Sequence, residues 1–426
     1  MRRAYKYRLY PNRKQERALT TMVETHRHLY NRALAERKNA YEQEKRSVTY
    51  EQQSACLKEQ RETNSYLRQT NFSSCQATLK RLQRAFENFF RRVQAGEKEP
   101  GYPRFKGKYR FDTVVFPSYG DGCKLKEGRL YIQHIGLLKV KWYRPLEGRI
   151  KTISLKREAD GWYVCFSCEV EDKEILPSSS PAIGIDLGLK AFLMTNEGEE
   201  IKPPKYYRKA QKALRRAQRK LCLRKKGSKR RGKAGRLLKK QHQHIANQRR
   251  NFHHQVAHSL VKRYGLVAHE NLNVAGIAQT RLAKSTYDVG WGSFLSILHS
   301  KAEEAGCTVI AVPPDNTTQR CGSCGKLPEV KKTLADRIHI CPFCGYTADR
   351  DVNAAQNILN LGLDGAFVAQ APARRVLLRE AACFSWWSRH PNTTISRKRA
   401  LNSTARVKWH TLSYGIATVS DVCGIR

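Results

Sequence analysis

The stretch Cys341–Leu359, CPFCGYTADRDVNAAQNIL, packs two kinds of metal chemistry into one short run. Cys341 and Cys344 form a C-x-x-C pair, and Asp349 and Asp351 follow at the start of a segment that reads as a helix. Thiolates suit zinc, whereas carboxylates suit Mg2+ or Mn2+, so the run holds either one site or two. Upstream spacing decides the thiol half. Cys321 and Cys324 form a second pair, separated from Cys341 by sixteen residues, and glycines at 322, 325 and 345 suit turns that aim two sulfurs at one ion. This spacing predicts a four-cysteine zinc site with ligands Cys321, Cys324, Cys341 and Cys344. Four thiolates leave the ion no open position, so its role is expected to be structural.

Two other acids stand out on apolar segments. AIGIDLGLK reads as a strand with Asp186 in its middle, where an unpaired charge is costly, and YGLVAHENLNV as a strand ending in Glu270. SFLSILHSKAEEAG then reads as an amphipathic helix closed by Gly306, and CTVIAVPP as another buried strand. Strands alternating with helices predict an α/β core with some parallel pairing, into which the cysteine segment is inserted. A single acid at a strand end commonly faces solvent, and an Asp at a helix start is commonly a cap. Three carboxylates from adjacent elements of one core are different. They repel one another unless cations sit among them, and two divalent ions about 4 Å apart suit phosphodiester cleavage.

The N-terminal part alternates first: Tyr5, Tyr7 and Leu9 against Lys6 and Arg8, a half-buried strand ended by Pro11. A helical region follows to about Gly96, with Leu79, Leu82, Phe86, Phe89, Phe90 and Val93 as a core stripe. From Tyr102 to Val170, short strands punctuated by KEGR, LEGR and ADGW predict a small antiparallel barrel or sheet that the first strand joins, and LPSSSPA reads as a linker.

Across its 426 residues the chain carries 80 Lys and Arg against 37 Asp and Glu, a formal charge of +43. Such an excess repels itself unless a polyanion neutralises it, and nucleic acid is the usual one. Between Glu200 and Glu270 there is no acidic residue, and the basic run there predicts a helical hairpin bent near Gly227 to Gly235. No run of apolar residues is long enough for a membrane span, the first residues lack a signal-peptide core, and thirteen mostly scattered cysteines point to a reducing cytosol.

GIDLGL, HENLNV and DRDVNAAQNIL, with CGSCG and CPFCG just before the last, resemble the RuvC-type nuclease domain of TnpB proteins, transposon-encoded relatives of type V CRISPR effectors. YKYRLYPNRKQ, LKRLQRAFENFFRR and PRFKGKYRF extend the resemblance to about Gly362. It implies an α/β RuvC-like (RNase H-like) nuclease domain with an inserted zinc ribbon, plus an N-terminal small β-barrel with an inserted helical domain. The implied boundaries are 1–10 and 102–176 for the wedge-like barrel, 11–101 for the helical recognition insertion, and 181–320 with 346–362 for the nuclease core. The basic hairpin would span 203–260 and the ribbon 321–345. Residues 363–426 depart from the family pattern and show no sustained periodicity, which predicts a disordered tail.

The activity implied is that of an RNA-guided DNA endonuclease, cutting beside a short transposon-adjacent motif by two-metal hydrolysis. Asp186, Glu270 and Asp351 match the family's catalytic acids and would hold two Mg2+ (or Mn2+) ions; Asp351 is chosen over Asp349 because the family's acid directly precedes the V-N pair. Zn2+ would be the single structural ion. Gln76, Lys80, Arg104, Lys106, Lys225, Lys226, Arg230 and Arg231 are candidate nucleic-acid contacts. The implied partners are a guide RNA from the transposon end and double-stranded target DNA, with no membrane, for a monomer or weak dimer on the RNA in a prokaryotic cytoplasm, near the nucleoid. The competing readings are an RNA-guided repressor without cleavage and a guide-independent nucleic-acid-binding accessory protein; loss of one acid would favour the repressor, and all three are present.

Overall fold

Period-two burial organises the first sheet: Tyr5, Tyr7 and Leu9 are buried in strand β1 (Arg2–Tyr10) of the computed structural model, which describes residues 2–108, 110–171, 181–333 and 335–369. Asn12 then stops the strand and starts a helix. Its side chain accepts from the Gln15 N–H while the Gln15 side chain accepts from the Asn12 N–H, a reciprocal cap contributing about 1 kcal/mol. Five helices follow: α1 (Arg13–Glu44), α2 (Tyr50–Ala55), α3 (Leu57–Thr63), α4 (Ser65–Arg68) and α5 (Phe72–Gln94). Six strands come next: β2 (Thr113–Phe116), β3 (Cys123–Lys126), β4 (Arg129–Ile132), β5 (Gly136–Lys141), β6 (Arg149–Arg157) and β7 (Trp162–Glu169).

With β1 in the centre, these strands form an antiparallel sheet in the order β2-β6-β7-β1-β5-β4-β3. Among the described residues the ladder is open, with β2 and β3 as its edges: the sheet that the sequence pattern allowed beside a barrel, and not the barrel that the resemblance implied. One apolar core joins the sheet to the helices inserted after β1, through residues such as Tyr7, Leu34, Leu79, Leu82 and Phe166. The α5 stripe only half belongs to it. Leu79, Leu82 and Phe86 are buried, but Phe90 (55%) and Val93 (48%) are exposed.

The second half is a five-stranded mixed sheet. Its strands are β8 (Ala182–Asp186), β9 (Leu193–Thr195), β10 (Glu200–Ile201), β11 (Leu266–Glu270) and β12 (Thr308–Val312), in the order β10-β9-β8-β11-β12. β8, β11 and β12 run parallel, while β9 and β10 are antiparallel neighbours. Helices α6 (Tyr206–Cys222) and α7 (Lys229–Arg263) lie between β10 and β11, and α8 (Val274–Ile277), α9 (Ala283–Val289) and α10 (Trp291–Ala305) between β11 and β12. After β12 come a hairpin, β13 (Ile338–Ile340) with β14 (Thr347–Asp349), and helix α11 (Arg350–Ala369).

Several boundaries differ from the sequence reading. Asp186 ends β8, not its middle, because the chain turns at Gly188, whose N–H donates to Phe192 O. β12 is an edge strand with Thr308 and Ala311 exposed, so CTVIAVPP is only partly buried. Of the glycines placed at the hairpin bend, Gly227 makes the turn with φ +83°, while Gly232 and Gly235 lie inside α7. Residues 347–349 pair with 338–340 in the β13–β14 hairpin, directly before α11. Helix α11 continues to Ala369, past the position where the tail was expected to begin; residues 370–426, like the linker at 176–180, lie outside the described residues.

Candidate metal centres

Strand alternation sorts the second sheet's residues between two faces. Ile183, Ile185 and Val267 pack with Val256 and Leu260 of α7 and with Phe294 and Leu298 of α10. Gly184 and Ala268 face the other way, towards α11. A Cβ on Gly184 would lie 2.1 Å from the Ala355 carbonyl oxygen, and one on Gly362 would lie 2.5 Å from Ala268 Cβ. Helix α11 therefore lies almost directly on β8 and β11. Asp186 shares the parity of Gly184, and Glu270 that of Ala268, so both carboxylates project from the α11 face at the C-terminal ends of parallel strands. In open α/β sheets that crevice is where ligands collect. His269, of opposite parity, turns towards α10, with Nε2 3.5 Å from His299 Nε2.

The start of α11 brings the third acid. The two aspartates that opened the sequence reading divide their work: Asp349 Oδ1 accepts from the Asp351 N–H at 2.8 Å and caps the helix, leaving the Asp351 carboxylate free of that task. Arg350 lies 3.2 Å from Asp351 Oδ1. Electrostatics tie the three acids together. Burial first, then the negative charges of Glu270 and Asp351, push the Asp186 carboxyl from 3.8 to about 7, against the pull of Arg350 and the Leu187 backbone. Asp186 still has partial surface exposure, so its carboxyl lies deep among protein atoms yet open to solvent on one side. Burial also raises Glu270, which the Thr317 hydroxyl partly offsets by donating a hydrogen bond to Oε1. Among the described residues, the four cysteines alone place their ligand atoms within 4.8 Å of one another, so the acids form a looser group; a carboxyl pushed up by acidic neighbours, as Asp186 is, suits a nearby hard cation.

The thiol centre is tighter. Cys321, Cys324, Cys341 and Cys344 place their sulfurs within 4.8 Å of one another, with Cys321–Cys344 at 3.7 Å and Cys324–Cys341 at 3.6 Å. A tetrahedral Zn2+ with Zn–S bonds of about 2.3 Å requires sulfur separations of about 3.8 Å, so the cluster fits that ion. Two matching knuckles build it. The Cys321 N–H donates to Lys326 O and the Gly325 N–H to Cys321 O; the Cys341 N–H donates to Tyr346 O and the Gly345 N–H to Cys341 O. Gly325 (φ +70°) and Gly345 (φ +73°) adopt the left-handed turn that each knuckle needs.

A ladder of amides fastens this ribbon to α11. Asn353 donates to Arg320 O and accepts from the Gly322 N–H. Asn357 donates to Thr317 O and Arg320 O, and Asn360 donates to Gly322 O. Sequence reasoning passed over Asn353, Asn357, Asn360 and Thr317. The asparagines carried a usable signal, since 353, 357 and 360 share one face of a helix whose neighbouring positions are apolar. Thr317, in PPDNTTQR, carried none.

The candidate nucleic-acid residues separate by environment. Lys80, Arg104, Lys225, Lys226 and Arg230 are exposed. Gln76 instead donates to Ser54 Oγ. Lys106 lies over the Tyr30 ring, and partial burial, then Arg81, Arg110 and Arg104, hold its pKa below the ordinary lysine value. Arg231 spends its guanidinium closing the α6–α7 turn on the carbonyls of Leu221 and Arg224. The exposed face of the hairpin is mostly basic, with Lys212, Arg215, Arg216, Arg219, Lys233 and Arg236 outward and Leu214, Ala217 and Ala234 inward.

Three protein families match along the chain: OrfB_IS605, described as "Probable transposase", over residues 165–281, the Cas12f1-like TNB domain over 291–358, and a helix-turn-helix domain over 1–46. A Streptomyces pristinaespiralis protein, named provisionally as an RNA-guided DNA endonuclease, is 33% identical over 376 residues, covering 85% of this chain and 90% of that protein. This chain belongs to the TnpB family. A second TnpB-type relative, InsQ of Escherichia coli (strain K12), also provisionally named an RNA-guided DNA endonuclease, is 29% identical over 379 residues, covering 84% of this chain and 92% of InsQ. The fold likeness extends to a Cas12f1 chain solved with sgRNA and target DNA, with a TM-score of 0.53 at 14% identity, covering 84% of this chain and 99% of that one. In this TnpB chain, residues 2–46 form one strand and one long helix, so the helix-turn-helix description of 1–46 does not correspond to two helices here. Among the described residues, no helix is long and apolar enough to cross a membrane.

Proposed function

We propose that this chain is an RNA-guided DNA endonuclease of an insertion-sequence transposon, with a RuvC-like (RNase H-like) core that cuts DNA beside a short transposon-adjacent motif. The observation that carries the proposal is the pull of Glu270 and Asp351 on the Asp186 carboxyl, with α11 packed on the strands that end in Asp186 and Glu270, in a chain of charge +43. A guide-independent basic protein has no use for a crevice of acids that repels the nucleic acid it binds, and a repressor has no need to keep all three.

In this reading the three carboxylates hold two Mg2+ or Mn2+ ions, and Glu270 presents the oxygen that Thr317 leaves open. When bound, such ions stabilise the attacking and leaving oxygens of a phosphodiester. The chain's own residues do the rest. The exposed basic face of α6 and α7 neutralises backbone phosphates of a guide–target duplex and brings a strand to the acids. Gln243 of α7 holds that helix against the β6–β7 hairpin by donating to Glu158 and Asp160 at 2.8 Å and 2.7 Å, so the basic face and the first sheet keep one spacing. The four thiolates would hold one Zn2+ in a closed site that does no chemistry, and the ribbon anchors the helix bearing Asp351.

The test is reconstitution. RNA that co-purifies with the protein is sequenced, and a matching target is offered with Mg2+. Asp351→Ala should abolish cutting while guide and target binding stay near wild type, because a carboxylate is removed and the basic surface is not. Retained Mg2+-dependent cutting in that variant would refute the assignment, and random co-purified RNA would favour generic binding.

A further inference from the structure

Glu270 is 7% exposed at the end of β11, where a carboxylate needs a donor or a cation. Among the described residues, the side-chain donor placed on it is the hydroxyl of Thr317, itself 3% exposed, which donates to Oε1. We propose that Thr317 is a positioning residue for Glu270, fixing one carboxylate oxygen so that the other meets a divalent cation shared with Asp186 and Asp351. The proposal rests on the reading of Glu270 as an active-site carboxylate.

Three features make Thr317 a fixture and not a passing contact. Its loop runs from the end of β12 straight into the first zinc knuckle at Cys321. Its backbone is held from α11, since Asn357 Nδ2 donates to Thr317 O at 2.8 Å and to Arg320 O at 2.7 Å. The hydroxyl has one further acceptor within reach, Pro314 O at 3.2 Å, in the same loop, so its proton has nowhere to go but Glu270 or its own turn. Helix α11 thus carries Asp351 directly and references Glu270 through Asn357 and Thr317. Two acids on different elements are registered against one helix. Outer groups that orient ligand carboxylates commonly change metal affinity by about 10–100-fold when removed.

The experiment compares wild type, Thr317→Val, Thr317→Ser and Glu270→Gln as full-length protein with co-purified RNA. Each is melted across a Mn2+ titration, and guided DNA cutting is followed over the same titration. The melting response that wild type shows and Glu270→Gln lacks isolates the carboxylate site from metal held by RNA. Thr317→Val is expected to need about 10–100-fold more Mn2+ for both responses, with zinc content and metal-free melting near wild type, while Thr317→Ser keeps the wild-type midpoint. A Thr317→Val midpoint equal to wild type, with Glu270→Gln silent, overturns the positioning role and leaves the active-site reading standing. A wild-type metal response in Glu270→Gln overturns that reading and this proposal together. Should Thr317→Val fail to fold, Thr317→Ala replaces it with the same expectation. Equal losses in Thr317→Ser and in the hydroxyl-free variant assign the effect to packing and overturn the proposal.

Discussion

Burial and two neighbouring acids hold Asp186 near 7, well above its ordinary 3.8, and the sign of that shift sets a pH dependence. The folded state keeps a proton that the unfolded chain gives up, so without divalent metal this group favours folding at low pH. Its contribution is lost as pH rises from about 4 towards 7. A divalent cation competes with the same proton. Melting of metal-stripped protein should therefore shift down across that window, and added Mg2+ should restore stability most strongly at the upper end; a metal effect that is flat with pH would contradict the site. The candidate ligands were legible in single residues. Asp186 and Glu270 are acids on apolar strands, and four cysteines at paired spacing need little else. Choosing Asp351 over Asp349 took the resemblance to a family, because both sit at a helix start and only the fold shows that Asp349 spends its oxygen on the Asp351 N–H. Thr317 was out of reach. A threonine in a polar loop gains meaning only when the chain brings it to Glu270.

At the scale of elements, the closest contact is α11 across β8. A Cβ at Gly184 would press to 2.1 Å from the Ala355 carbonyl, and neither backbone can yield without moving Asp186 or Asp351. Gly184→Ala is expected to cost about 3 kcal/mol or more, seen as a lowered melting temperature and lost cutting, whereas Gly198→Ala, with open space around it, should cost less than 1 kcal/mol beyond its turn strain. The ribbon makes a second element-level prediction. Cys341→Ser, or chelation of the metal, should release zinc and loosen the Asn353–Asn357–Asn360 ladder, so that melting falls and cutting is lost although every carboxylate remains. Zinc at one per chain in a normally folded Cys341→Ser protein, measured by atomic absorption, would sink that account. Strands and helices were read well where periodicity was strong, as in β1, β11 and α10. Ends were read poorly. The helix α11 continues past Gly362 because Gly there is a close-packing contact with Ala268, not a stop, and the exposed end of α5 kept its apolar residues without a core to receive them.

For the molecule as a whole, charge is the governing quantity. An excess of +43 with a basic face along α6 and α7 predicts binding dominated by phosphate contacts. Guide affinity should fall by a factor of about 10³ or more between 50 mM and 200 mM salt; a shallow dependence in a filter-binding or anisotropy titration would mean that the basic face lies idle. That expectation was legible from composition alone, and the division into an antiparallel part and an α/β part from the order of strand, turn and helix signals along the chain. What composition cannot supply is how the parts are pinned: the Gln243 amide joins them at the β6–β7 hairpin, and Arg3 of β1 pairs with Glu304 of α10 at 3.6 Å. The ribbon's geometry has one more consequence, for engineering. Its two ends return to the same place, with Arg350 N–H on Arg337 O and Asn353 on Arg320 O, while Glu329, Val330 and Lys331 between them are exposed. A peptide tag or a dye-bearing cysteine spliced between Glu329 and Val330 would ride outside the closed loop. It would offer an optical reporter on the ribbon without lengthening the path from the knuckles to Asp351.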